Sequence, residues 1–405
     1  MKQTRTNTPN YLKHLNKKKI LQYLRDNSET SRAEISSALS ISKPTVSAIV
    51  DELIAEEWLY EKESAVASSL GGRKPIHLFF NHSAHYMIGI DIGGTLVEIG
   101  ILNMAGDILA LDRFETQVAL KEEDLLSKIC NTVKGLLQKE SLASDKVMAV
   151  GVGAPGITDT ENGIVIEAPS LGWVNFPLRS ELEKQLQLPV YVDNDVNVAV
   201  LGEQWKGKAK DAENIILITL GTGVGCGIIV NGQLYRGASY AAGEVGYMIT
   251  DKNEAKEGYD DIFDGYGFLD SHVGGPSIVK RMERKLKATT NDHPLKRERL
   301  TAKRIFDYAK QNDPLASEVI EETVDHIAYA LVNVICIFNP QYVILGGGIS
   351  KSGDWFLPKV EKVLEKHLPL QTEISTTKLD NLSIIGAGAL CLREHESLLK
   401  DEGVV

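Results

Sequence analysis

The chain has 405 residues, of which 43% are apolar and 24% charged, a composition typical of a soluble globular protein with two or three domains. Its apolar runs are too short to cross a bilayer and its basic, polar N-terminus lacks a signal-peptide core, so we expect a cytoplasmic protein with no membrane partner. The net charge of −11 is uneven, +3 over residues 1–80 and −14 over the remainder, which predicts either a nucleic-acid contact confined to the N-terminal region or a basic region that is simply solvated.

A helix-turn-helix is predicted near the start of the chain. Residues 1–15 lack periodicity and are expected to form a flexible arm, after which the apolar spacing becomes helical from Lys17. A capping box at Ser31–Glu34 begins a second helix, and Ser42–Pro44 begins a third that runs to about Ala55. Three short helices joined in this way are typical of a helix-turn-helix.

Two predicted strands around a polar loop follow the third helix. Trp58–Tyr60 and Ile76–Phe80 are the strands and the loop is a wing, so the head is predicted to be a winged helix-turn-helix. In such modules the start of the recognition helix reaches base edges, and a wing arginine reaches phosphate or a minor groove. A winged helix used for protein contacts alone is the alternative. The predicted DNA-binding residues are Ser42, Lys43, Thr45 and Ser47 on the helix and Arg73 and Lys74 on the wing.

The stretch Tyr86–Thr95 (YMIGIDIGGT) joins an apolar strand to a glycine turn. Gly93 and Gly94 lack a Cβ, so successive backbone N–H groups can converge on an anion, and Asp91 can hold a cation or a water beside it. The pattern fits a phosphate cradle. It fits a simple hairpin turn equally, because Leu96–Leu102 reads as a second strand.

Two further predicted strands end in glycine turns, within Ile215–Tyr235 and Tyr342–Ser350. The first repeats the order strand, turn, strand, which predicts a duplicated fold with a cleft between two lobes. Together the three segments resemble the phosphate-one, phosphate-two and adenosine motifs of the actin-like ATPase and sugar-kinase superfamily. A GxGxxG match at Gly151–Gly156 offers a weaker Rossmann alternative, because Pro155 and a turn stand where a helix should open. The nucleotide-binding residues that the resemblance implies are Asp91, Gly93, Gly94, Thr95, Gly221, Thr222, Gly223 and Gly347.

Three structural units are expected from these patterns. Residues 1–82 would form the winged helix-turn-helix, residues 83–197 the first α/β lobe and residues 198–384 the second. The last strand is predicted at Leu382–Ile385, and a C-terminal helix within 385–405 would return to the first lobe.

The order of motifs along nearly the whole chain resembles that of the ROK family, which contains bacterial sugar kinases and sugar-responsive repressors. After the basic head the motifs are DIGGT, GAPG, PSLGW, DNDVN, GTGVG, GEVG and NPQYVILGGG. The winged helix makes the chain similar to the repressor branch, of which xylose repressors are the familiar type. The expected fold class is therefore α/β, with a winged helix-turn-helix followed by a duplicated actin-like ATPase or sugar-kinase (ROK) fold in two lobes.

The resemblance implies a sugar site. Asn194 and Asp195 would hold sugar hydroxyls, with Asp195 at the position of the kinase base, and Glu244 would bind the sugar as well. Asn175, in a turn-rich segment that could line the ligand, and Tyr247, which ends the motif that contains Glu244, are the other expected ligand-binding residues. Carboxylates and amides suit paired hydroxyls, so the expected ligand is a polyol.

Two departures from the family kinases concern zinc. The kinases carry a zinc-binding histidine where this chain has Tyr247, and their CxCGxxGC cluster corresponds to Asp260–Asp270, which contains no cysteine. We therefore expect neither zinc nor another metal, and interpret His326 as structural. Asp195 and the three nucleotide motifs remain, so ATP with Mg²⁺ stays open as the cofactor of a retained kinase, whereas a repressor requires none.

The sequence thus favours a sugar-responsive repressor of carbohydrate-utilisation genes. Its expected partners are operator DNA and a sugar or sugar-phosphate effector. A homodimer or homotetramer is expected, because a two-fold operator needs two recognition helices. An ATP-dependent sugar kinase that carries a winged helix is the competing hypothesis.

Overall fold

The computed structural model describes the chain in six ranges, residues 9–27, 29–63, 76–116, 124–258, 267–290 and 292–395. The predicted wing residues Arg73 and Lys74 lie outside these ranges. Within them, the search for a helix long and apolar enough to span a bilayer finds none.

The N-terminal domain is a three-helix unit with a two-stranded sheet. Its elements are α1 (Pro9–Asp26), α2 (Arg32–Leu39), α3 (Lys43–Ala55), β1 (Leu59–Glu63) and β2 (Ile76–Phe80). The capping box predicted at the start of α2 is present, since the Ser31 hydroxyl accepts from the Glu34 amide and the Glu34 carboxylate accepts from the Ser31 amide at 2.7 Å. Ser42 caps α3 in the same manner by accepting from the Thr45 amide.

The flexible arm predicted at the start of the chain is wrong from Pro9 onward. Helix α1 begins there, and proline suits a first helical turn because that position needs no N–H donor. Lys13 and Lys17, one turn apart, pair with Glu52 of α3 and with Glu56, the C-cap of α3, each at 2.5 Å. These lysines belong to the basic region that the sequence allowed to be simply solvated, and in the structure they help to dock α1 on α3.

The first lobe is built on a mixed five-stranded sheet. Its elements in chain order are β3 (Tyr86–Ile92), β4 (Leu96–Asn103), β5 (Ile108–Glu115), α4 (Leu125–Lys139), β6 (Val147–Ala154), β7 (Ile157–Asp159), β8 (Ile164–Ala168), β9 (Trp173–Phe176), α5 (Leu178–Leu186) and β10 (Val190–Asn194). Strands β3 to β5 form an antiparallel meander, and β6 and β10 add in parallel, in the spatial order β10-β6-β3-β4-β5. Strands β7 to β9 form a small separate sheet.

The second lobe repeats this topology after a connecting helix. Its elements are α6 (Asp195–Lys206), β11 (Ile215–Leu220), β12 (Val224–Val230), β13 (Gln233–Leu234), α7 (Lys252–Glu257), α8 (Phe268–Val273), α9 (Gly275–Ala288), α10 (Ala302–Lys310), α11 (Pro314–Phe338), β14 (Tyr342–Gly346), α12 (Gly347–Ser350), α13 (Gly353–His367) and β15 (Glu373–Thr376). Strands β11 to β13 are antiparallel, and β14 and β15 add in parallel, in the order β13-β12-β11-β14-β15. The predicted duplication is confirmed.

The strand predicted at Leu382–Ile385 is wrong, because these residues begin helix α14 (Leu382–Glu394). A run of four mostly apolar residues does not distinguish a strand from a buried helix. The small residues that follow let this helix pack closely on α6, since a Cβ on Gly386 would lie 1.9 Å from the Val198 carbonyl oxygen. The expected lobe boundary at 197/198 falls inside α6 itself.

One apolar cluster joins the head to the first lobe. It runs from Ile20 and Val50 of the head through Trp58 to Met87 of β3 and Ile384 of α14. The junction also contains a ring contact between Trp58 and His85, with centroids 4.6 Å apart. The winged domain therefore packs on the lobe through a continuous core.

Candidate functional site

Four carboxyl groups form a row across the two lobes, which we call the acid row. Asp91 is the penultimate residue of β3 and Asp195 begins α6, whereas Glu244 and Asp270 belong to the second lobe. Burial, together with the charge of Asp195, raises the pKa of Asp91 to about 7. Burial also raises the pKa of Asp195 to about 6, and the charge of Glu244 adds to that rise. Each acid thus lies within electrostatic reach of the next.

Within the second-lobe part of the acid row, Asp270 is held by backbone amides. The Glu244 residue is exposed as a whole, yet its carboxyl is partly desolvated, and this desolvation followed by the charge of Asp270 raises its pKa. Asp270 is 8% exposed and accepts from the amides of Val224 at 2.7 Å and Gly267 at 3.0 Å. The sequence analysis missed Asp270, although its position three residues after Gly267 is that of a helix-capping acid.

Gly153 brings the two first-lobe acids together. It is the buried penultimate residue of β6 and pairs in register with Asp91 of β3. A Cβ at this position would lie 3.3 Å from the Cα of Asp195 and 3.6 Å from Oδ1 of Asp91. A glycine here therefore lets the first turn of α6 approach the end of β3.

Asn194, predicted as a sugar ligand beside Asp195, is the N-cap of α6. Its Oδ1 accepts from the amides of Val196 at 2.9 Å and Asn197 at 3.2 Å, and its Nδ2 donates to the Gly156 carbonyl at 2.9 Å. These contacts fix the position from which Asp195 starts the helix, so the structure gives Asn194 a positioning role.

A buried ion pair crosses between the lobes beside the acid row. Asp193 of β10 is 1% exposed, and Arg236, which follows β13, donates to it from Nε at 2.8 Å and from Nη2 at 2.7 Å. Asn197 donates to the same carboxylate at 2.9 Å, and Arg236 also lies 3.5 Å from Glu394 of α14. Sequence reasoning missed this pair because it joins residues 43 positions apart.

Both predicted phosphate turns are hairpin tips. The Gly93 amide donates to the Leu96 carbonyl at 2.9 Å, and the Gly221 amide donates to the Gly223 carbonyl at 3.0 Å. The first amide of each turn therefore closes the turn itself. Gly347 has φ +83°, a conformation that favours glycine. The remaining turn residues predicted to contact nucleotide, Gly94, Thr95 and Thr222, are half-buried or exposed at these tips.

The segment that contains Asn175 lies near the first of these turns. A Cβ on Gly94 would lie 3.3 Å from the Ser170 hydroxyl, so the PSLGW stretch reaches the DIGGT turn. Asn175 is exposed in β9 with φ +49°, a backbone conformation that asparagine tolerates. Trp173 and Phe176, which flank Asn175 in the sequence, stack on each other with ring centroids 4.3 Å apart.

The residues at the family zinc position do not fit that ion. Tyr247 is 56% exposed and offers a phenol in place of an imidazole. Phe268 is fully buried within the stretch that corresponds to the cysteine cluster. The cysteines of the chain lie elsewhere, for example Cys226 on β12. Residues 260–266 of that stretch fall outside the described ranges.

The predicted DNA-reading residues lie at the start of α3. Ser42 and Lys43 are exposed, and Thr45 and Ser47 are half-buried. The hydroxyls of Ser42 and Thr45 are 2.7 Å apart, so they hydrogen-bond to each other. Arg32 stabilises the base of this helix by pairing with Asp51 and Glu61 at 2.7 and 2.8 Å.

Known proteins resemble the chain in both of its parts. The model of the ROK family matches residues 87–394, and that of a winged helix-turn-helix DNA-binding domain matches residues 14–60. The "Xylose repressor" of Caldicellulosiruptor bescii is 31% identical over 394 residues, which cover 95% of this chain and 96% of the relative. The "Glucokinase" of Thermotoga maritima is 32% identical over 314 residues, 75% of this chain and 96% of that enzyme.

Solved structures show the same two-part likeness. A ROK family transcriptional regulator, described as a homolog of the E. coli MLC protein, has a TM-score of 0.79 at 23% identity and covers 94% of this chain and 96% of its own, which shows the shared fold. A ROK family glucokinase from Streptomyces griseus in complex with glucose and AMPPNP has a TM-score of 0.62 at 28% identity and covers 75% of this chain and 98% of its own.

Proposed function

This chain belongs to the ROK family and carries an N-terminal winged helix-turn-helix, and from that premise we propose that it is a transcriptional repressor released from its operator by a sugar bound at the acid row. The resemblance to xylose repressors supports carbohydrate-utilisation genes as the target. The operator lies in the cytoplasm, and its two-fold form calls for a homodimer or homotetramer.

The observation that carries this proposal is the packing path from the acid row to the head. Asp195 begins α6, and α6 packs tightly on α14, where Gly386 meets the Val198 carbonyl. Ser383 of α14 lies close enough to Asp91 to lower the pKa of that carboxyl, which partly opposes the rise caused by burial. Ile384 of the same helix belongs to the apolar cluster that contains Trp58 of the head. A ligand that moves Asp91 or Asp195 would therefore act on α14, a helix that shares an apolar core with the DNA-binding domain.

Sugar binding would act by bridging the lobes. A ligand shifts a conformational equilibrium only through a difference in its affinity for the two states. Hydroxyls held at once by Asp195 of the first lobe and Glu244 of the second supply such a difference, since they favour one spacing of the lobes. The new spacing would reach the head through α14 and alter the separation of the two recognition helices in the oligomer.

A sugar kinase is the second candidate, and the electrostatics of Asp195 favour it. With its pKa raised to about 6, this carboxylate is ionised at neutral pH yet more basic than an ordinary aspartate, as a general base requires. Asp91 and the two glycine hairpins would hold Mg²⁺ and the phosphates of ATP, which would supply the phosphoryl group. Consumption of ATP that depends on a sugar, and that Asp195→Asn abolishes, would establish this activity.

The deciding experiment is a fluorescence-anisotropy titration of the full chain on DNA from its own upstream region, with a panel of sugars and sugar phosphates. We expect nanomolar to micromolar binding, and release by one member of the panel. Failure to bind the upstream DNA, or binding that every sugar leaves unchanged, would contradict the proposal.

A further inference from the structure

A second cluster of metal-ligating side chains lies in the second lobe, apart from the acid row. Glu254 of α7, His272 of α8 and His326 of α11 each offer one ligand atom, and these atoms all lie within 4.8 Å of one another. Nε2 of His272 is 2.9 Å from one Glu254 carboxylate oxygen, and Nε2 of His326 is 4.0 Å from the other. Both histidines are buried, at 3% and 8% exposure.

Nδ1 of each histidine has a hydrogen-bond partner that orients the imidazole ring. Nδ1 of His272 is 2.6 Å from the Phe268 carbonyl oxygen, which accepts, so Nδ1 carries the proton of the neutral ring. Nδ1 of His326 is 2.6 Å from the Thr250 hydroxyl. Both rings therefore direct Nε2 toward Glu254. Ring nitrogens fixed in this way, with the other nitrogen facing the ligand position, are the arrangement found around metal-bound histidines.

The ligand atoms of the three side chains lie close enough together to share one ion. Nε2 of His272 is 2.9 Å from a carboxylate oxygen of Glu254, and the centroids of the two imidazole rings are 4.3 Å apart. A divalent ion between the three ligand atoms would accept a lone pair from each imidazole and neutralise the charge of the carboxylate.

We propose that Glu254, His272 and His326 bind one divalent transition-metal ion, with Zn²⁺ as the best match. Two imidazoles and one carboxylate form a ligand set that suits zinc, with a water completing the tetrahedron. Bond lengths of about 2.1 Å place tetrahedral ligand atoms about 3.4 Å apart. The three ligand atoms all lie within 4.8 Å of one another, so small side-chain movements would bring them to that spacing. The Glu254 side chain is 43% exposed, which gives the ion a path from solvent.

The ion would fasten α7 to the body of the second lobe. Each of the six residues of α7 is exposed or half-buried, so this helix has little apolar packing of its own. The three ligands come from three helices, and α8 also carries Asp270 of the acid row. The site would therefore hold the segment between Glu244 and α7 in place. It differs from the family zinc position at Tyr247, whose loss led us to expect no metal, and it does not depend on the proposed repressor function.

The test is a Co²⁺ titration of the full chain without a histidine tag, after removal of metal with a chelator and dialysis. Co²⁺ bound by two histidines and a carboxylate absorbs visible light, so occupancy is read directly, and Zn²⁺ should displace it. We expect one ion per chain with micromolar or tighter affinity. Glu254→Gln and His272→Asn should each weaken binding by roughly tenfold or more. His293→Asn is the matched control, because His293 is also buried and lies 2.8 Å from a carboxylate, that of Asp313.

Two results would overturn the site. One is an absence of stoichiometric Co²⁺ or Zn²⁺ binding at micromolar concentrations. The other is wild-type affinity in Glu254→Gln, a substitution at a partly exposed position that the fold should accept. If circular dichroism shows that His272→Asn does not fold, the affinity of Glu254→Gln alone decides between the two results.

Discussion

The two lobes share one topology but place different chemistry at the same position. Asp91 and Thr219 each stand two residues before the first glycine of their hairpin, and each pairs with a glycine on the adjacent parallel strand, Gly153 and Gly346 respectively. The first lobe thus presents a carboxylate where the second presents a hydroxyl. Because α6 begins beside Asp91, a second acid, Asp195, joins the first-lobe position.

The surroundings of the two positions differ as much as their chemistry. In the first lobe, small residues let α14 touch the sheet, since a Cβ on Gly151, two residues before Gly153, would lie 2.0 Å from the Ala387 carbonyl oxygen. The second-lobe hairpin is held within its own lobe, because Asp270 accepts from the Val224 amide and the Gly275 amide donates to the Gly221 carbonyl at 2.9 Å. The comparison teaches that the first-lobe acids lie beside a helix that shares a core with the head, whereas the second-lobe turn is held by neighbours from its own lobe.

Gly386→Ala should have the largest effect on stability. Its new Cβ would lie 1.9 Å from the Val198 carbonyl, so α6 and α14 must separate, at a cost of roughly 2–3 kcal/mol. Scanning fluorimetry should show a melting temperature several degrees lower. Gly346→Ala, the second-lobe control, should stay within about 1 kcal/mol of wild type. Equal melting temperatures for the two variants would contradict the claim that packing is tighter around α14 than around Gly346.

Asp91→Asn should change how stability depends on pH. The pKa of Asp91 is raised to about 7, so the folded state holds this proton more tightly than the unfolded chain does. That stabilisation is complete below the ordinary aspartate pKa and is lost as the pH rises through about 7. The variant should therefore gain stability relative to wild type between pH 5 and 8, by about 1–2 kcal/mol. Thr219→Val, at the equivalent second-lobe position, should give a curve parallel to that of wild type, and a parallel curve for Asp91→Asn would contradict the burial of this carboxyl.

The elements that local chemistry specifies were predictable from the sequence. The capping box at Ser31 and the helix Leu178–Leu186 are present as predicted, because caps and apolar spacing act within a few residues. The glycine turns predicted the duplication for the same reason. The start of α1 was missed because its ion pairs with α3 join residues 39 positions apart.

The parts of the site that the sequence did not reveal depend on long-range contacts. Asp193 and Arg236 have no shared motif, and the fold alone brings them together. His326 looked structural because nothing near it in the sequence predicts that it faces His272. Such groups become visible only when the second lobe is assembled, since their ligand atoms come from separate helices.

Arg73→Ala should have the smallest of these effects. It tests the DNA contacts of the head independently of the sugar site in the lobes. If the wing arginine meets phosphate or a minor groove, its loss should weaken operator binding modestly and lower the slope of log affinity against log salt by about one. Sugar affinity should not change. Anisotropy titrations at several salt concentrations measure both quantities, and an unchanged slope and affinity would reject this placement of Arg73.

The most direct test of the account is the sugar concentration that half-releases the operator from Asp195→Asn and Glu244→Gln. Each substitution leaves sugar hydroxyls unpaired at a cost of about 1–3 kcal/mol, so each variant should bind DNA like wild type yet need roughly 5- to 150-fold more sugar. Asp112→Asn, at an exposed carboxylate on β5, should respond as wild type does. Release of both acid-row variants at the wild-type sugar concentration would contradict the account, because the effector would then bind elsewhere.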